Sequence, residues 1–242
     1  MIDILGSIDA KIENSNAIID NLLKNLQLQY ALRFLNRDDL PRVPLLQFVE
    51  NTLGGDWGKE QAEKNFSEEV VCIRGADIPD ISSGQNGKPP RRFILKKNLE
   101  AKQLSDYEII VEISGGSPTQ STGRSALITQ HLINQYNVPL ICTNFCRAIR
   151  CKNKVFAAYV YSAFSQMYND DLFFNYENGT TGIKNLDLQA ILESEEIALP
   201  SEDELNAFFT LTNDTLIQVM RYREENNKLN ELKQLYLKKF FG

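Results

Sequence analysis

The first thirty-five residues constrain this chain more than any other stretch. Leu5, Ile8, Ile12, Ser15, Ile19, Leu22, Leu26 and Gln29 follow a strict three–four alternation, the spacing that keeps one seam of an α-helix in line over many turns. Apolar side chains fill all of these positions except Ser15 and Gln29, which can set register. Lys11, Glu13, Asn14, Asp20 and Lys24 occupy the other faces. The pattern predicts one long helix over 4–35, ended before Pro41 and Pro44. A seam this narrow must be covered by a second helix or by the chain's own domain. Residues 202–240 offer such a helix, marked by Leu216, Val219, Leu229, Leu232, Tyr236 and Phe240. Pro200-Ser201 and then Glu202, Asp203 and Glu204 form its start, with carboxylates where the macrodipole favours them. Its stripe is less regular across the polar run Arg221–Lys228. The two terminal helices are expected to pair, with each other or with copies in a second subunit.

Between them, strand signals dominate. Val70-Val71-Cys72-Ile73 and Ile109-Ile110-Val111-Glu112-Ile113 read as short strands bounded by turn residues. Val138 to Arg150 and Val155 to Phe164 read as a hairpin closed around Lys152-Asn153-Lys154. Helical stretches near Ser125–Gln135 and Asn185–Glu193 make the class α+β. The expected organisation is an N-terminal coiled-coil helix over 1–37, a globular domain over 38–201 and a C-terminal coiled-coil helix over 202–242. The two helices form an antiparallel coiled coil, expected between subunits.

Charge is unevenly distributed. The net charge is −6, yet residues 70–160 hold 12 Lys/Arg against 6 Asp/Glu. The rest of the chain holds 14 against 26, so a basic middle is flanked by acidic ends. Such asymmetry suits an anionic partner, although solvated loops produce it too. Residues 125–146 lack charge, but Thr129, Gln130, His131, Asn134, Gln135, Asn137 and Pro139 make them a poor membrane span. No membrane partner is expected. Asp3 and Asp9 interrupt any apolar signal core. Four cysteines in 242 residues do not make a disulfide scaffold, and a cytoplasmic location is expected.

Three segments carry candidate chemistry. Gly115-Gly116-Ser117-Pro118-Thr119-Gln120-Ser121-Thr122-Gly123-Arg124-Ser125 follows a strand, as a phosphate-binding loop would. Six residues separate its inner glycines and Arg follows, whereas a Walker A loop has four and then Lys. That spacing argues against a nucleotide-dependent enzyme. Ser117, Thr119, Gln120, Thr122 and Arg124 instead suit phosphate and base-edge contacts on a duplex, and the same hydroxyls suit capping of their own turn. Residues 84–97 contain Lys88, Arg91, Arg92, Lys96 and Lys97 and no acid, as needed to grip a phosphate backbone or simply to form a solvated face. In residues 178–185, Lys184 with Thr180 and Thr181 could meet phosphate before a helix. Cys142, Cys146 and Cys151, with Cys72 and His131, raise zinc. Cys142 and Cys146 share a predicted strand face, however, and buried thiols are expected with no metal site. His131 has no adjacent nucleophile, and no catalytic residues emerge.

Taken together, these segments resemble the specificity subunit of type I restriction–modification enzymes. Leu5-Gly6-Ser7-Ile8-Asp9 with Lys11-Ile12-Glu13-Asn14 resembles the start of that family's coiled-coil helix. Gly54-Gly55-Asp56-Trp57-Gly58, Cys72-Ile73-Arg74-Gly75-Ala76-Asp77-Ile78, Ser114–Ser125 and Gly179-Thr180-Thr181-Gly182-Ile183-Lys184-Asn185-Leu186 resemble stretches of its target recognition domains. The resemblance implies a non-catalytic chain that reads double-stranded DNA and directs modification subunits, with restriction or motor subunits as further partners. No cofactor is implied in this chain; S-adenosylmethionine belongs to the modification subunit. A full specificity subunit has two recognition domains, and this chain has one, which implies a half-subunit. A homodimer would read a palindromic pair of half-sites; a heterodimer would read an asymmetric one. A helix of about 30 residues spans roughly 45 Å, or about 13 base pairs at about 3.4 Å each. The dimer seam implied is Leu5, Ile8, Ile12, Ile19, Leu22, Leu26, Leu229, Leu232 and Tyr236. The competing reading is an acidic protein-interaction module or DNA mimic with no affinity for duplex.

Overall fold

A computed structural model describes residues 2–117, 119–179 and 183–241. The chain opens with α1 (Ile2–Tyr30), continued by a π-helical turn over Ala31–Leu35. Then follow β1 (Arg42–Pro44), β2 (Val49–Gly54), β3 (Phe66–Ile73), α2 (Ile78–Ser82), β4 (Arg91–Leu95), α3 (Lys96–Lys102), β5 (Ile109–Glu112) and β6 (Ser114–Gly115). The second half holds β7 (Ser125–Leu127), α4 (Gln130–Asn134), β8 (Leu140–Cys142), β9 (Cys146–Cys151), α5 (Lys154–Asn169) and β10 (Glu177–Asn178). It ends with β11 (Lys184–Leu186), α6 (Leu188–Ser194), β12 (Glu196–Ala198) and α7 (Glu202–Phe241). The class is α+β.

A four-stranded antiparallel sheet runs β2-β9-β5-β7, and a three-stranded sheet runs β4-β3-β8 with β3 and β8 parallel. Smaller sheets join β10-β11-β6 and β1-β12. Alternation along β5 sends Ile109 and Val111 to one core and Ile110 to another, as a two-residue period requires. The first core is also the joint between helices and domain. Tyr30 and Phe34, Phe48, Tyr159 of α5 and Phe208 of α7 pack there as tilted and edge-on rings with centroids 5.0–6.1 Å apart. Each such aromatic pair adds roughly 0.5–1.5 kcal/mol beyond its buried area, so this cluster anchors both helices to the domain.

The terminal helices pair with each other inside one chain, which corrects the expectation that their seam lies between subunits. The pairing is antiparallel: Lys233 Nζ meets Asp9 Oδ1 at 2.5 Å, Lys11 Nζ meets Glu225 Oε1 at 2.5 Å, and Arg37 meets Glu204 at 3.0 Å. Ile8, Ile19 and Leu26 are buried, and Leu5, Ile12 and Leu22 are half-buried. Val219 is buried on α7, but its seam also contains buried Thr212, Thr215 and Asn226. These polar residues explain the weak apolar stripe. Leu229 and Tyr236 are half-buried, whereas Leu232 is exposed and lies off the seam.

Residues 155–164 are not a strand but belong to α5, from its second residue onward. Asn153, read as a hairpin turn, is the helix cap: its Oδ1 accepts from the Phe156 amide at 2.8 Å. The run is apolar on every side because α5 is buried on nearly every side, and such a run has no strand-versus-helix period to read. Ala157, Ala158 and Ala163 let neighbouring elements approach it. Residues 125–135 likewise divide into β7 and the short α4, whose N-cap Thr129 accepts from the Leu132 amide at 3.2 Å.

Candidate nucleic-acid interface

The residues selected from the sequence are distributed over separate parts of the domain. Lys96 and Lys97 open α3 with no acid in its first turn, against the preference of the macrodipole. Both are exposed and have no hydrogen-bond or ion-pair partner among the described residues. Arg91 is exposed but bound to Glu69 at 2.8 Å and Asn137 at 2.7 Å. Lys88 lies elsewhere, in the cleft that the domain forms with the helix pair beside Asn16, His131 and Arg223.

Arg92 and Thr122, both expected to contact DNA, are held inside the domain by internal partners. Arg92 is buried, lies 4.1 Å from the Trp57 ring centroid and donates from Nε to the Trp57 carbonyl at 3.0 Å. Thr122 is fully buried; its amide and hydroxyl both donate to Glu177 Oε1, at 2.6 and 2.9 Å. Burial pushes the Glu177 carboxyl up, but Lys184 Nζ at 2.6 Å and the two Thr122 donors hold it below the usual range. Lys184 is thereby engaged, and it also donates to the Ser117 carbonyl at 3.3 Å. Thr180 and Thr181 lie outside the described residues.

Arg124 forms a fork with the buried Glu112 carboxylate, at 2.8 and 2.7 Å, and this bond raises its own pKa. Before it, Gly123 takes φ +103° against the Phe173 ring, where a Cβ would come within 2.2 Å of the ring. Only glycine fits both the backbone and the space. The tip closes on itself: the Thr119 amide donates to Ser117 Oγ at 3.3 Å, and the Ser117 amide donates to the Gln120 carbonyl at 2.7 Å. Both readings of these hydroxyls therefore have material, because Thr119 and Gln120 remain exposed. Gln120 and Arg124 face a cleft lined by Leu26, Gln27, Tyr161 and Leu216.

Three other loops meet at one edge of the domain. Gly54–Gly58 abuts Thr143: a Cβ on Gly55 would come within 1.9 Å of the Thr143 carbonyl oxygen, and the Asp56 amide donates to the Cys142 carbonyl at 2.9 Å. The helix carrying Lys96 and Lys97 joins this loop through Asn98 Nδ2 to Asp56 Oδ2 at 2.6 Å and Lys102 Nζ to the Gly55 carbonyl at 2.7 Å. The Phe145 carbonyl accepts from the Ile113 and Ser114 amides at 2.9 and 3.2 Å, and Ser114 Oγ bonds Asn185 Oδ1 at 2.5 Å. Among the described residues of 38–201, the exposed large apolar side chains are Leu46, Trp57 at 40%, Phe145 at 52% and Ile183 at 62%. Trp57 and Phe145 belong to the meeting loops, and Ile183 lies two residues before Asn185. Arg147 of β9, in register with Gly54 and Val111, has an exposed side chain with no ion-pair or hydrogen-bond partner among the described residues.

Phe145 and Arg147 belong to none of the motifs in the sequence. The signal was a large aromatic in the polar run Thr143-Asn144, just outside a buried strand.

Cys72, Cys142, Cys146 and Cys151 are buried free thiols. Burial pushes Cys72, Cys146 and Cys151 up to about 12, so they are poor nucleophiles and poor ligands. Among the described residues no group of three metal-ligating side chains is assembled, and no helix is long and apolar enough to cross a membrane.

No protein-family model and no curated protein matches the sequence. Solved structures do match. The S subunit of a type I restriction–modification system from M. genitalium aligns with a TM-score of 0.59 at 14% identity, over 98% of this chain and 59% of that one. A chain from a structural study of type I restriction–modification complex assembly and conformational transition aligns at 0.53 and 14% identity, over 98% and 57%. This chain thus spans under two thirds of the length of the structures it matches. It has the fold of a type I restriction–modification S subunit over that part.

Proposed function

We propose that this chain is a DNA sequence-recognition subunit, without catalysis of its own, that positions modification subunits on a duplex. One observation carries the reading: unpaired Lys96, Lys97 and Arg147 flank exposed Trp57, Phe145 and Ile183 on loops fixed to a rigid sheet edge. Cations without internal partners are available to phosphates, and rigidly held apolar and amide side chains are what base edges require. The likeness of fold to S subunits supports the same role. The chemistry, methyl transfer from S-adenosylmethionine to adenine, belongs to a modification subunit in this reading, and a restriction or motor subunit is a further partner.

A bipartite site needs a second recognition domain, supplied by a second copy of this chain or by a different one. With the α1–α7 seam buried within the chain, that second domain joins through outer faces of the helix pair, where Leu28, Leu32 and Leu235 are exposed. The helix pair serves partner proteins, and the chain acts in the cytoplasm.

The test is co-expression with the adjoining modification subunit in a methylation-free host, followed by mapping of N6-methyladenine. A bipartite palindrome supports recognition by a homodimer, and an asymmetric motif supports a heterodimer. No methylation from an assembled complex containing an active modification subunit refutes recognition and favours the acidic interaction module.

A further inference from the structure

We propose that Phe145 is a specificity-determining residue whose ring meets a base in the duplex, with Arg147 on the adjoining backbone phosphate. The inference rests on the DNA-recognition reading and adds the residue that reads the sequence.

The local structure explains why a phenylalanine can stand here exposed. Thr143, two residues before it, and Cys146, the next residue, are buried. The Thr143 amide donates to the Ile73 carbonyl at 2.9 Å and the Cys146 amide to the Thr143 carbonyl at 3.0 Å, closing the turn. The Phe145 carbonyl is held by two amides of the next loop. The backbone is therefore fixed on both sides while the ring makes no aromatic contact among the described residues. An apolar side chain left half in water on a pinned turn forgoes part of the roughly 1.5–3 kcal/mol that full burial would contribute. Pre-organisation of this kind lowers the cost of binding.

Charge identifies the occupant. Arg147 follows two residues later with its guanidinium unpaired, and Lys96 and Lys97 lie across the Trp57 loop, also unpaired. Protein interfaces favour arginine and aromatic rings but are depleted of lysine, so Lys96 and Lys97 are what point to an anionic partner. A duplex offers both surfaces needed, anionic phosphates for the cations and, in the major groove, base edges with thymine methyls for the ring. Asn144, exposed beside the ring, supplies an amide for a neighbouring base edge.

The two residues predict different signatures. Using the mapped motif, wild type, Phe145→Ala, Phe145→Leu and Arg147→Ala are compared by methylation mapping and by binding to duplexes carrying each single-base change. Phe145→Ala relaxes one motif position, with discrimination there falling by about 5- to 150-fold, and leaves the salt dependence unchanged. Phe145→Leu retains part of that discrimination. Arg147→Ala weakens all sequences alike and reduces the salt slope by about 0.9. Wild-type discrimination at every position in Phe145→Ala overturns the proposal while leaving the recognition reading intact. A complex that fails to assemble only when Phe145 is replaced also overturns it, placing the ring against a protein. Absence of any motif for wild type overturns the recognition reading itself.

Discussion

Replacing Arg124 separates a structural role from a recognition role. From the sequence this arginine is a base-contact candidate; in the fold its guanidinium forks onto Glu112, whose side chain is 6% exposed. Arg124→Ala leaves that carboxylate buried without its cation. Breaking one side of a buried pair costs about 3–5 kcal/mol, and because Arg124 itself is one-quarter exposed the lower end, about 3 kcal/mol, is expected. For a chain of this size that lowers the melting temperature by about 6–12 °C. Urea and thermal unfolding followed by circular dichroism and by the single tryptophan, Trp57, provide the measurement. Glu112→Gln combined with Arg124→Ala removes the stranded charge and recovers most of the loss, so the two effects do not add. Unfolding unchanged within about 0.5 kcal/mol in Arg124→Ala, together with a relaxed motif, would refute the reasoning and return Arg124 to the DNA.

Further outcomes follow from the same geometry. Lys96→Ala with Lys97→Ala should lower duplex affinity for every sequence and flatten the salt slope by about two units, without changing the melting temperature; a changed motif would contradict their assignment to phosphate. Ile19→Ala, at a fully buried position of the helix seam, should cost about 2–5 kcal/mol, read as a lower urea midpoint. For Asp77 and Glu177, burial raises the carboxyl pKa, but it is outweighed by Arg74 and two backbone amides at Asp77, and by Lys184 and Thr122 at Glu177. Both end below the ordinary range of about 4. Their contribution is thus complete above that range and is lost as pH falls through the lowered folded values; urea midpoints measured down to acid pH should fall less steeply in Asp77→Asn. Gly75→Ala should destabilise the domain, because its Cβ would come within 2.4 Å of Glu112 Oε1; an unchanged midpoint would show that the carboxylate can move aside.

The sequence by itself determined the elements whose pattern is local. The three–four spacing from Leu5 to Leu26 fixed a long helix, because a helical seam repeats in the order of the chain. The acidic start at Glu202 marked the second helix, and short β-branched runs marked β3 and β5. The α+β class followed from these, and the quoted motifs pointed to the S-subunit fold.

Tertiary structure decided what depends on partners distant in sequence. α5 is a helix because the surrounding core buries it on almost every side, leaving no polar face to reveal its period. The helix seam closes within the chain because the aromatic cluster of Tyr30, Phe34, Tyr159 and Phe208 ties both helices to one domain. Residue type alone could not distinguish Arg92, stacked inside on Trp57, from Lys96 and Lys97, free at the surface. All are cations in one short run, and only the position of acids and rings contributed by other segments separates them. The same holds in reverse for Phe145: an apolar residue reads as core until the fold leaves it outside.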